Sequence, residues 1–196
     1  MATTGAADLL ARRTARCFSP PVLPVTAGCA VSWHATWPRP DGLVWGLTAV
    51  VCGAVGVLVM AFGVRRGWWS DLDVSRHAER PLPLACASAG AALVWLTCRH
   101  LGAPHELLVA AALAPVGGTA FLLCTRFGKV SLHTCAAAGS IALLVLSVDP
   151  LCALLAPVAA VVGWSRVRLG AHTRAQVWAG GLLGACLTVA VLFTAR

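Results

Sequence analysis

The stretch LVWGLTAVVCGAVGVLVMAFGV, Leu43 to Val64, contains no charged side chain. An α-helix rises 1.5 Å per residue and a bilayer core is about 30 Å thick, so roughly 20 apolar residues cross it. This stretch therefore predicts a transmembrane helix. Working outward, six further apolar segments follow the same rule more briefly: about Val22 to Trp37, Leu82 to Cys98, Leu107 to Cys124, Thr134 to Val148, Leu151 to Trp164 and Val177 to Phe193. The composition agrees. The chain is 59% hydrophobic and 11% charged, where a soluble domain carries about a quarter charged residues. Too little polar surface exists to cover a water-soluble fold. The sequence predicts an all-α, polytopic membrane bundle of six to seven transmembrane helices, forming one domain over 21–196 behind an N-terminal tail, 1–20.

The tail, MATTGAADLLARRTARCFSPP, runs from its arginines into prolines rather than into an apolar run with a cleavage site. It reads as a short tail or surface helix, not as a signal peptide. The net charge of +8 does not imply nucleic acid, because basic residues of membrane proteins gather in loops and at lipid headgroups. Nine cysteines lie scattered without a CxxC pair. Most sit in apolar segments, where cysteine behaves as a small hydrophobe, so neither a disulfide framework nor a metal cluster is expected. Trp68, Trp69 and Trp164 stand at segment boundaries, as an interfacial aromatic belt requires.

With seven spans, the N-terminus and the loops after the second, fourth and sixth spans share one face. Arg12, Arg13, Arg16, Arg65, Arg66, Arg76, Arg80, Arg126, Lys129, Arg166, Arg168 and Arg174 lie there, twelve of the fifteen basic residues. The positive-inside tendency assigns that face to the cytoplasm. Its three loops are chemically complementary. The first offers Arg80, with Asp71, Asp73, Arg76 and Glu79 nearby. The second offers Lys129, Ser131 and His133, and the third Ser165, Arg166, His172 and Gln176. Guanidinium forks match phosphate oxygens, and two imidazoles can divide nucleophilic and proton-transfer roles. Together these residues suit an anionic, phosphorylated ligand at the membrane surface, with its apolar tail among the helices.

At this point the residues resemble a family. Ser165-Arg166, five residues, His172, three residues, Gln176 is similar to the third motif of the type-2 phosphatidic acid phosphatase superfamily, S-R-x5-H-x3-D. Val130–His133, VSLH, stands where that family has P-S-G-H, and Asp73–Pro81, DVSRHAERP, where it has K-x6-R-P. The resemblance runs from about Arg65 to the C-terminus. It implies a membrane enzyme that hydrolyses a lipid phosphate or diphosphate, plausibly a polyprenyl one, without a metal cofactor. It also implies roles: His172 attacks phosphorus to form a phosphohistidine, His133 protonates the leaving alcohol, Arg80 and Arg166 clamp the phosphoryl oxygens, and Ser131 donates to them.

Three positions depart from the family pattern. Asp73 replaces the first-motif lysine, and Lys129 is the candidate for the missing cation. Leu132 replaces the motif glycine. Gln176 replaces the aspartate that orients the nucleophile; its amide oxygen can accept from an imidazole N–H but stabilises an imidazolium less than a carboxylate does. Two other readings use the same cradle. In one, Asp71 and Asp73 bind Mg²⁺ and an isoprenoid diphosphate is ionised toward a cyclised or transferred product. In the other, the chain is a non-catalytic lipid-phosphate binder or transporter. Simpler roles also suit these residues: Ser131 as a helix cap, the two aspartates as partners of Arg76 or its neighbours, and the arginines as lipid anchors.

Overall fold

The computed structural model describes residues 5–72, 74 and 76–195, and of His77 the backbone alone. Asp73, and with it half of the proposed aspartate pair, lies outside the described residues. The described residues form eight α-helices: α1 (Ala6–Cys17), α2 (Val22–Thr36), α3 (Asp41–Arg65), α4 (Pro81–His100), α5 (His105–Cys124), α6 (Leu132–Ser147), α7 (Ala156–Arg168) and α8 (Arg174–Thr194). Short 3-10 turns, His77–Glu79 and Pro150–Leu155, precede α4 and α7. No strand occurs among the described residues.

Among the described residues, five segments are long and apolar enough to cross a membrane: α3, α4, α5, α7 with its preceding turn, and α8. The sixth, α6, is a shorter apolar helix, and α2 has 15 residues. These seven helices coincide with the seven apolar segments of the sequence, and the tail forms a surface helix, α1, docked on α7. Their polarity is inverted relative to a soluble bundle. Leu43, Val44, Leu47 and Leu58 of α3 are each more than 60% exposed, which suits lipid rather than water. The protein is an integral membrane helix bundle.

Two hairpins, α2–α3 and α4–α5, pack beside a tight α6–α8 pair, with α2 also touching α5 and α6. Without a hydrophobic driving force in lipid, close backbone approach carries helix association. Here glycine permits it. A Cβ on Gly180 would collide with the Ser131 carbonyl, and one on Gly184 with the Cys135 carbonyl. Thr188 Oγ1 adds a bond across the seam to the Gly139 carbonyl, 3.3 Å. The seam fixes the N-terminal turns of α6 and α8 against one another.

Three helices end in a left-handed glycine, Gly67, Gly102 and Gly170, with φ of 71°, 75° and 66°. Each makes the paired bonds of a Schellman stop. At α7 the Gly170 N–H donates to the Val167 carbonyl and the Ala171 N–H to the Arg166 carbonyl, both at 3.0 Å. That stop reverses the chain within a few residues and brings the start of α8 back beside the end of α7.

Candidate active site

The three polar loops meet at one end of the bundle. Arg80, 5% exposed, donates from Nε to the Val74 carbonyl at 3.2 Å and from a terminal nitrogen to the Val130 carbonyl at 3.1 Å. One guanidinium thus ties the first loop to the second. Val74 is buried and has φ of 44°, a rare conformation for a β-branched residue. The loop before Arg80 is closed by Glu79, which accepts from the Ser70 N–H at 2.7 Å and its hydroxyl at 2.9 Å. The Ser70 N–H and then its hydroxyl, with Arg76, hold the Glu79 carboxyl below its ordinary range. Asp71 accepts from the Ser70 hydroxyl at 3.2 Å.

The second loop joins the third through backbone. The Ser131 N–H donates to the Gln176 carbonyl at 3.2 Å, and the Thr134 hydroxyl to the Val177 carbonyl at 2.9 Å. Ser131 is fully enclosed and caps α6, its hydroxyl accepting from the Thr134 N–H at 3.5 Å. His133 is buried in the first turn of α6. The apposed starts of α6 and α8 therefore place His133 and His172 at the same end of the bundle.

Arg166 and His172 are coupled by the chain itself. The Arg166 carbonyl accepts from both the Ala171 and the His172 N–H, the latter at 3.3 Å. The five-residue spacing is what the Gly170 stop needs to close onto the residue bearing the guanidinium. Ser165 has no exposed surface, and its hydroxyl donates to the Val162 carbonyl at 2.7 Å. Both Arg166 and His172 are buried.

His172 Nδ1 lies 3.2 Å from Gln176 Oε1. The same oxygen accepts from the Thr173 N–H at 3.2 Å, within a capping box completed by the Thr173 hydroxyl and the Gln176 N–H. A backbone N–H can only donate, so the amide must turn its oxygen toward it. Bonding to that oxygen then requires the hydrogen on His172 Nδ1 and leaves the lone pair on Nε2. Sequence reasoning identified Gln176 as the partner of an imidazole but missed Thr173. The signal was present as T-x-x-Q, a capping box at a helix start.

The charges that act on His172 among the described residues are positive. Burial lowers the His172 pKa to about 4; the Gln176 bond opposes this, and the positive charges of Lys129, Arg166 and Arg80 add to the lowering. Half-buried Lys129 is lowered by burial and then by Arg80 and Arg166. The charges of Arg80, Lys129 and Arg166 thus all act on one imidazole. The pH consequence has a definite sign. The unfolded imidazole takes its proton near 6.5 and the folded one near 4. The associated stability is intact above about 6.5 and is lost as pH falls from there toward 4. His172→Gln, which titrates nothing in that window, is expected to lose less thermal stability over it. Differential scanning of the detergent-solubilised protein checks this.

Residues 110–195 match the model of the PAP2 superfamily, the superfamily that the motifs resemble. The match covers Ser131, His133 and the whole Ser165–Gln176 motif, and begins after Arg80. The PAP2 superfamily includes lipid phosphatases, which supports a phosphatase-like, hydrolytic role in a membrane. No curated protein and no solved structure gives a match.

Proposed function

We propose that this chain, with its match to the PAP2 superfamily, hydrolyses a lipid phosphate or diphosphate through a phosphohistidine on His172. The observation that carries the reading is a buried imidazole that bonds Gln176 through Nδ1 and feels the positive charges of Lys129, Arg166 and Arg80 together. Phosphoryl transfer asks mainly for positioning and neutralisation of charge on the equatorial oxygens. Three cations supply the neutralisation. Burial first, and these cations after it, keep the imidazole neutral and therefore nucleophilic.

In the first step His172 Nε2 attacks phosphorus and the ester P–O bond breaks. Protonated His133 gives its proton to the departing alkoxide. In the second, His133 removes a proton from water, the resulting oxygen nucleophile attacks phosphorus, and the P–N bond breaks to release phosphate and restore His172. Gln176 holds the Nδ1 hydrogen throughout. The tail of the substrate, plausibly polyprenyl, stays among the helices, and the basic end of the bundle faces the cytoplasm.

The test is release of inorganic phosphate by the full chain in detergent, from phosphatidic acid, a polyprenyl phosphate and a polyprenyl diphosphate. Release from at least one that persists in chelator is expected. No release above a His172→Ala control, turnover abolished by chelator, or a hydrocarbon product would overturn the reading.

A further inference from the structure

The N-terminal helix α1 lies outside the segment matched to the superfamily, and nothing in the proposed hydrolysis uses it. Its two faces differ. Ala11, Thr14 and Ala15 are buried where α1 packs on α7. At one edge Asp8 accepts from Arg168 Nε at 2.8 Å. Arg168 closes the helix that bears Ser165 and Arg166, so α1 sits at the same end of the bundle as the cationic site. The outward face carries Arg12, Arg13 and Arg16, all exposed, with Leu9 48% and Leu10 57% exposed.

We propose that this outward face is an interaction surface for anionic lipid headgroups. Three observations select that occupant. The helix lies at the end of the spans, which is headgroup level in a bilayer. Its outward charge is entirely positive, since the sole carboxylate of α1, Asp8, is engaged with Arg168. Its exposed leucines stand among the arginines, the arrangement of a helix lying in the interface with apolar groups lowered and guanidinium groups at phosphate depth. Each arginine near an anionic surface strengthens attachment several-fold, so three together amount to about 100-fold. The surface would hold the end of α7, and with it the Arg166 turn, against the membrane.

Amide hydrogen exchange over residues 6–17 tests this in the full chain, with no reliance on turnover. The protein is reconstituted in phosphatidylcholine vesicles with and without phosphatidylglycerol, at several protein-to-lipid ratios. Exchange in the wild type is expected to slow at least 10-fold when phosphatidylglycerol is present, and to recover in high salt. The Arg12→Gln/Arg13→Gln/Arg16→Gln variant is expected to lose that difference, while Asp8→Asn, which alters only the docked edge, keeps it. Equal exchange in both vesicles would overturn the proposal. So would protection that follows protein density regardless of lipid charge, which would assign the face to a second copy of the chain.

Discussion

His172→Ala is expected to lower phosphate release by about 10⁵-fold, the scale on which removing a covalent nucleophile acts. The effect should reside in kcat, because the clamp of Arg80, Lys129 and Arg166 remains to bind the headgroup. A radiolabelled phosphoryl group trapped on the wild-type chain, stable in alkali and released in acid, should be absent from the variant. His133→Ala separates the two imidazoles. Loss of a general acid costs about 10²–10⁴-fold, but only where the leaving group needs a proton. An aryl phosphate with a good leaving group should therefore label His172 nearly as fast in His133→Ala as in the wild type, while a lipid alkyl phosphate should not. Labelling that survives His172→Ala would place the nucleophile elsewhere. A His133→Ala defect equal for both substrates would remove His133 from leaving-group protonation.

Some of this architecture follows directly from the order of residues. Unbroken apolar runs such as Leu43–Val64 have only one accessible structure in lipid, where every backbone group must bond internally. α2, 15 residues long, was legible from its apolar run, Val22 to Trp37, although that run begins among prolines. The third loop was legible too, since Arg166 and His172 belong to one turn and their spacing is local. The bonds that tie the three loops together were not. Arg80 meets the Val130 carbonyl across 50 residues, and Thr134 meets the Val177 carbonyl across 43. No periodicity encodes such pairings; the second follows from how tightly Gly180 and Gly184 let α8 approach α6. The left-handed Val74, which turns a carbonyl toward Arg80, runs against the preference of its own side chain.

Arg80→Lys is expected to reduce kcat/KM by about 10²–10³-fold although the charge is kept. This is the range for loss of one preorganised donor at a developing negative charge. A guanidinium is a planar fork. It bonds the Val74 and Val130 carbonyls, at 3.2 and 3.1 Å, while directing its remaining N–H groups along a fixed plane. An ammonium is a point charge on a flexible stem and cannot satisfy two carbonyls from different loops while facing a phosphate in a bidentate way. The substitution bears hard on the proposal because Arg80 precedes the matched segment, 110–195, and its assignment rests on the degenerate first motif and on geometry alone. Since Arg80 also ties two loops together, a loss of activity needs a readout that a structural tie would not move. Arg80→Ala opens that readout: added guanidinium ion should restore part of kcat/KM, while an ammonium salt at equal ionic strength should not. Guanidinium rescue would place a cation at the phosphate. Activity of Arg80→Lys within about tenfold of the wild type would leave Arg80 as a loop fastener and shift the clamp to Lys129 and Arg166.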